Sequence, residues 1–324
     1  MVGIDVGGTG VRLALAPAEQ CDDLRAARTR ELPAPARIVA SGHDADALLG
    51  RLLPALEALA ADLPPGARVA AVAVGATGMA LLGRDLAAKL PGPLVRATGA
   101  RRLVLAGDAI AAHVGALGAR AGVTVAGGTG LVAIGYSPDA GWRRADGWGQ
   151  LLGDCGSGGW IGRAGLEAAL RAYDGRAGGS PALLDLAERR YGPVTGLPAA
   201  LQPRPDRAGL LAAFAPDVAE AAGAGCRVAG AIVRRAGEEI AVTATAAATA
   251  AGLTGPRLAL TGGLFNLPSL RSATEAALSA RLPAARLHHP DGPPLLGSLR
   301  LAAADPFPWP LDPPLLDLHH PDPA

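Results

Sequence analysis

Apolar residues along the chain follow two alternating rhythms: short unbroken runs, and longer stretches in which they recur about every 3.6 residues. The first run, Val2-Gly3-Ile4-Asp5-Val6, enters Gly7-Gly8-Thr9-Gly10 and leaves through Val11-Arg12-Leu13-Ala14-Leu15, the pattern of a β-hairpin. Residues 36–40 read as a third strand. An apolar-periodic helix follows over 46–63, stopped by Pro64-Pro65-Gly66. Residues 68–75 form a continuous apolar run, as expected of a parallel strand covered on both faces. Residues 102–106 form another, followed at once by Gly107, Asp108 and a helix over 109–117. Hairpin-ordered strands followed by strand–helix alternation predict a mixed sheet with helices on its faces.

The same order restarts at Val123. Strands are expected at 123–126 and 130–136, helices at 157–173, 207–222 and 224–251, a strand at 257–261 and a helix at 268–281. A further apolar segment covers 294–303. Residues 197–205, with three prolines, read as a surface loop, and the Pro-rich tail from Pro306 as irregular. Gly118 to Gly122 separates helix from strand, so the expected domains are 1–118 and 119–324.

The glycine turn itself recurs. Val123-Thr124-Val125-Ala126 runs into Gly127-Gly128-Thr129-Gly130 and out into Leu131-Val132-Ala133-Ile134. Such a turn has no side chain to block an anion, and its N–H groups can form a concave nest for phosphate oxygens. Each copy adds a Thr hydroxyl. One copy would be weak evidence, because glycine-rich hairpins are common for conformational reasons alone. Asp5 strengthens the functional reading. A carboxylate in an apolar strand is costly without a partner, and beside a phosphate nest that partner is expected to be a hydrated Mg²⁺.

Composition narrows the remaining classes. A formal net charge of +1 gives no electrostatic case for nucleic acid or an anionic membrane. Cys21, Cys155 and Cys226 are isolated and odd in number, against a disulfide framework or a Cys-pair metal site. The start at Met1-Val2-Gly3-Ile4-Asp5 carries neither a cationic leader nor an apolar signal core, and the run at 240–253 is short for a membrane span. A cytoplasmic protein is the expectation. With aromatics at 3%, Trp142, Trp148, Trp160 and Trp309 stand out, and the first three sit within one short stretch.

These motifs resemble the acetate and sugar kinase/Hsp70/actin superfamily. Within it they are similar to the N-acetylglucosamine kinases and the BadF/BadG/BcrA/BcrD-type ATPases. Residues 5–10 look like the first phosphate motif, 126–130 like the second, and Leu260-Thr261-Gly262-Gly263-Leu264-Phe265 like the adenosine motif. The most specific stretch is Gly147-Trp148-Gly149-Gln150-Leu151-Leu152-Gly153-Asp154-Cys155-Gly156-Ser157. The resemblance implies an α/β fold of two similar actin-like (ribonuclease H-like) domains, with ATP in an interdomain cleft. It implies a sugar kinase using ATP and Mg²⁺ on an amino sugar or related hexose, and the expectation includes a homodimer.

Carried onto this chain, the resemblance implies ATP and phosphate contacts at Gly7, Gly8, Thr9, Gly10, Gly128, Thr129, Gly130, Gly262 and Gly263. It implies Mg²⁺ held by Asp5 through water, Asp108 as general base, and sugar contacts at Gly128, Trp148 and Asp154. Read as residues alone, Asp108 fits a helix N-cap as well, and Asp154 with Ser157 fits a capped turn. Trp160 and His113 read as core. One departure stands out: residues 40–46 lack the Asn by which N-acetylglucosamine kinases contact the sugar, which leaves the 2-substituent open. The alternative function is an ATPase of the BadF/BadG type that activates a partner enzyme. Those activators hold an iron–sulfur cluster through cysteines, a context not visible here.

Overall fold

The computed structural model describes residues 1–7, 10–33, 38–39, 42–61, 63–79, 83–204 and 206–320. By internal packing the chain divides into two compact units. One comprises Met1–Ala121, Ser137–Trp142 and His289–Ala324, the other Gly122–Tyr136 and Arg143–His288. In chain order the elements are β1 (Val2–Val6), β2 (Gly10–Leu15), β3 (Arg28–Pro33), β4 (Ile38–Val39), β5 (Gly42–His43), α1 (Ala45–Ala60), β6 (Ala71–Ala76), α2 (Arg84–Lys89), α3 (Pro91–Thr98), β7 (Arg102–Gly107) and α4 (Asp108–Leu117). Next come β8 (Gly122–Gly127), β9 (Leu131–Ser137), β10 (Gly141–Asp146), α5 (Gly158–Tyr173), α6 (Pro181–Tyr191), α7 (Leu197–Leu201), α8 (Arg207–Ala212), α9 (Ala215–Gly223) and α10 (Arg227–Ala250). The chain closes with β11 (Arg257–Thr261), α11 (Pro268–Arg281), β12 (Arg286–His288), α12 (Pro294–Ala303) and β13 (Leu316–His319).

The first sheet runs β13-β7-β6-β1-β2-β3 and the second β10-β9-β8-β11-β12. In both, a leading hairpin is antiparallel and the strands on its other side are parallel: β1 pairs with β2 antiparallel and β6 parallel, β8 with β9 antiparallel and β11 parallel. Strand for strand, β3-β2-β1-β6-β7 repeats as β10-β9-β8-β11-β12. The duplication inferred from element order is therefore present in the topology. Each sheet is mixed and flanked by helices, the expected α/β class.

Local chemistry explains the elements. Val2, Ile4 and Val6 alternate with Gly3 and Asp5 in β1, and all five are buried, because helices cover both faces: Val2, Ile4 and Val6 share a core with Leu48, Leu52 and Leu56 of α1, and Gly3 lies against α12. Helix α12 packs on β1 so closely that a Cβ at Gly3 would lie 2.7 Å from Leu299 N. There Ser298 Oγ donates to Ile4 O at 2.9 Å. In the second unit, α10 is rich in Ala, and its apolar stripe from Ala229 to Ala248 packs with Val123 and Val125 of β8 in one core.

Several expectations need correcting. The third strand of the first sheet is β3, not 36–40; among the described residues Ile38–Val39 pairs with Gly42–His43, and residues 36, 37 and 40 lie outside the described set. β3 escaped notice because its Arg28-Thr29-Arg30-Glu31 stretch is polar, as suits an exposed sheet edge. The expected loop at 197–205 contains α7, with Leu197 buried. The tail is not irregular throughout: β13 pairs antiparallel with β7, and Leu316 is buried. Residues 289–320, expected with the second domain, pack in the first unit.

Candidate active site

In the first unit the site is built where β1, the β1–β2 turn and the carboxyl end of β7 meet. The turn is closed by Gly7 N–H donating to Gly10 O at 2.9 Å; Gly8 and Thr9, expected as phosphate contacts, lie outside the described residues. Asp5 is 7% exposed and faces Arg12, its register partner across the hairpin, with Nη1 3.7 Å from Oδ2. That guanidinium is shared, since Arg12 Nη2 lies 3.1 Å from Glu31 Oε1. Burial, then the nearby charge of Asp108, push the Asp5 carboxyl up to about 6, only partly opposed by Arg12. A carboxylate in that position is short of positive charge. The donor set fits a hydrated divalent cation, although Asp5 and Asp108 alone do not form an all-protein cage. Among the described residues no cluster of three or more His, Cys, Asp or Glu could hold a metal.

Asp108 occupies the first turn of α4, not its N-cap; Gly107 holds the cap position. The Asp108 Oδ1 accepts the N–H of Ala109 at 2.9 Å. Gly107 N–H donates to Leu315 O at 2.7 Å, so the segment leading into β13 borders the strand end that presents Asp108. His113, on the same helix, is fully buried, stacks edge-on against Trp142 with centroids 5.4 Å apart, and has its pKa pushed down to about 4 by burial. It is a core residue, as expected.

The second unit holds the other turn in a different register. Gly127 pairs with Leu131, and Gly128 N–H donates to Gly130 O at 2.9 Å, leaving Thr129 alone at the tip. The first hairpin instead pairs Val6 with Val11, and its closing bond from Gly7 N–H to Gly10 O encloses two residues where the second encloses one. The carbonyls of Gly128 and Thr129 accept N–H bonds from Gly158 and Gly159 at 2.9 and 3.0 Å. The first donors of α5 are thus used to seat the turn, and the N-terminus of that helix is not itself an anion site. Gly262 adopts φ 97°, and a Cβ there would overlap the carbonyl oxygen of Gly127. That close approach ties the expected adenosine motif to the second glycine turn. At Gly263 a Cβ would meet open space.

The segment from β10 to α5 gathers the expected sugar residues. Trp148 is 57% exposed, with the Arg144 guanidinium 4.5 Å from its ring centroid. Asp154 adopts φ 54°, a left-handed conformation that Asp tolerates better than most side chains. Its carboxylate accepts from Gly149 N–H at 3.3 Å and from the N–H of Leu131, and a Cβ on Gly130 would come within 2.7 Å of Oδ2. Burial is the main reason its pKa is raised. Of the two capping readings, Ser157 is the N-cap of α5, with Oγ accepting from Trp160 N at 3.1 Å, while the Asp154 side chain turns toward the glycine turn.

Two residues of this site were missed in the sequence. Asp146, also left-handed at φ 59°, accepts the N–H of Asp154 through Oδ1 at 2.7 Å and that of Cys155 through Oδ2 at 3.0 Å. Arg144 braces Trp148. An Asp directly before Gly147 was an available turn signal. In residues 40–46, Asp44 caps α1 by accepting from Ala47 N–H at 2.9 Å, and Ala40 and Ser41 lie outside the described residues.

Comparison with known proteins places the chain among relatives of similar sequence and fold. The chain is 36% identical over 75 residues to an N-acetylmuramic acid/N-acetylglucosamine kinase of Clostridium acetobutylicum, a stretch covering 23% of this chain and 24% of that protein. A candidate N-acetylglucosamine kinase of Chromobacterium violaceum has the same fold, with TM-score 0.67, 27% identity, and coverage of 93% of this chain and 97% of the other. A second, from Porphyromonas gingivalis, matches with TM-score 0.72 at 17% identity over 93% and 97%. The model of the BadF/BadG/BcrA/BcrD ATPase family matches residues 2–292, nearly the whole chain, and the protein belongs to that family.

Proposed function

We propose that the protein is an ATP-dependent sugar kinase acting on an amino sugar, N-acetylglucosamine or glucosamine, or on a related hexose. One observation carries this reading. A single braced loop presents an exposed indole and a half-buried carboxylate beside a glycine turn of phosphate-binding character. The free face of Trp148 suits the C–H side of a pyranose, and Asp154 suits its hydroxyls.

In this reading Asp108 accepts the proton of the attacking hydroxyl, with Ala109 N–H fixing its carboxylate. Thr129 and the N–H groups of its turn hold phosphate oxygens, with Gly263 leaving room for the nucleoside. Gly7, Gly8, Thr9 and Gly10 are likewise assigned to phosphate oxygens. Asp5 holds Mg²⁺ through water, and the ion, when bound, neutralises charge on the transferring group. Phosphoryl transfer asks little covalent chemistry of the protein, so positioning and one base are enough.

The test is phosphorus NMR of reactions containing ATP, Mg²⁺ and, in turn, glucose, glucosamine and N-acetylglucosamine. A sugar phosphate monoester is expected from at least one. ATP hydrolysis with no phosphorylated sugar would instead favour the partner-activating ATPase.

A further inference from the structure

Apolar side chains flank the strand end that presents Asp108. Gly107, the N-cap of α4, donates its N–H to Leu315 O at 2.7 Å, one register step beyond the β13–β7 pair of Leu316 with Ala106. A Cβ at Gly107 would lie 3.7 Å from Leu315 Cδ2 and 4.0 Å from Met79 Cβ. The residue directly before the proposed base is thus walled by two apolar side chains. Met79 is buried, whereas Leu315 and Asp108 are both half-buried. Leu316 turns fully into the core, and Leu315 is left at the rim beside a half-exposed carboxylate.

The segment that presents Leu315 is held at several points. Asp312 and Leu316 exchange both backbone hydrogen bonds at 3.0 Å, closing a turn around Pro313 and Pro314, whose rings fix two φ angles. With Leu315 O bonded to Gly107, the side chain has a fixed root next to the start of α4. Leu315 also lies beyond residues 2–292, so the wall belongs to a part of the chain that the family match does not reach.

A base that activates a sugar hydroxyl can activate water as well. In transfer to the sugar, its oxygen bonds to the γ-phosphorus of ATP, the bond from that phosphorus to the ADP oxygen breaks, and the hydroxyl proton passes to Asp108. Water in the same place undergoes the same exchange and gives ADP and inorganic phosphate. Keeping water away from the base separates the two outcomes. A leucine side chain offers water no hydrogen bond, and it can cover the C–H edge of a pyranose.

We propose that Leu315 selects the nucleophile: its side chain keeps water from Asp108, so that the γ-phosphate passes to the sugar hydroxyl and not to water. The proposal rests on the sugar-kinase reading.

The experiment compares Leu315→Ala, Leu315→Val and Leu315→Met with the wild type. ADP release is measured without sugar, and sugar phosphate formed per ADP released is measured with it. Every variant keeps the backbone carbonyl that Gly107 uses, and melting curves check folding. Leu315→Ala should raise sugar-independent ADP release about tenfold, a part of the roughly 10²–10⁴ that a general base supplies, and lower the sugar phosphate formed per ADP. Leu315→Met, of similar volume, should match the wild type. Combining Leu315→Ala with Asp108→Asn should remove the excess release. Unchanged release in folded Leu315→Ala overturns the proposal. So does an excess that survives the loss of Asp108, because that leak does not pass through the base. If Leu315→Ala does not fold, Leu315→Val is judged by the same criteria. If the wild type phosphorylates no sugar, the kinase reading fails separately. An Asp108-dependent excess of ADP release in the Leu315 variants then still supports the wall, and the absence of any excess overturns it.

Discussion

Asp146 fixes the backbone of Asp154, accepting its N–H through Oδ1 at 2.7 Å while Oδ2 takes the N–H of Cys155 at 3.0 Å. Both aspartates are left-handed, so each is held in a conformation it would seldom choose alone. The brace also excludes any side chain at Gly153, where a Cβ would overlap Asp146 Oδ1. What the brace secures is the direction of the Asp154 carboxylate.

Asp146→Asn should therefore act on the sugar and not on the nucleotide. An amide in place of the carboxylate presents one acceptor instead of two to the paired N–H groups, and each charged hydrogen bond is worth about 1.5–3 kcal/mol. The sugar KM should rise about 10–100-fold with the ATP KM unchanged. Steady-state kinetics with each substrate varied in turn reads this directly, and equal rises in both constants would mean that the loop serves the whole site.

Thr129→Val keeps the β-branched shape and removes the hydroxyl at the tip of the second turn. ATP affinity should weaken by about 1.5–3 kcal/mol with sugar affinity intact. Calorimetric titration of a non-hydrolysable ATP analogue checks it, and unchanged affinity would remove Thr129 from the phosphate site.

The pH dependence of Asp5 has a definite sign. Its folded-state pKa of about 6 lies above the ordinary 3.8, so folding favours the protonated form. The destabilisation is absent below pH 3.8, grows as the pH rises toward 6, and is complete above it, at most on the order of 3 kcal/mol. Without nucleotide or metal, Asp5→Asn should melt above the wild type at pH 8, with the gap closing toward pH 4. Added Mg²⁺ should narrow the gap at pH 8 by stabilising the wild type alone. Melting curves across this range would contradict the account if the gap were independent of pH.

The elements legible in the sequence were those with unbroken apolar runs or clear helical spacing. The strand at 257–261 and the helix at 268–281 have the expected bounds, and the two hairpins differ from expectation by a residue or so. The glycine motifs located both turns, but their pairing register was not legible, because Gly-Gly-Thr-Gly permits either and the seating of α5 on Gly128 and Thr129 settles one of them. β3 and β13 were hidden because an edge strand needs few apolar residues. Asp146 and Arg144 were hidden for another reason: each acts on a neighbour close in the chain, through a hydrogen bond or a stacked ring, and neither leaves a periodic trace.

The central claim is a base-assisted transfer of phosphate to a sugar hydroxyl, with Asp108 as the base. The most direct measurement is kcat for Asp108→Asn beside the wild type, on the sugar that the wild type uses best, with both substrate affinities determined. Asn keeps the length and the bond to Ala109 N–H and loses only the proton acceptor. The account predicts a fall in kcat of roughly 10²–10⁴ with nearly unchanged affinities. A fully active Asp108→Asn enzyme would contradict it, leaving Asp108 as a residue that only stabilises the start of α4.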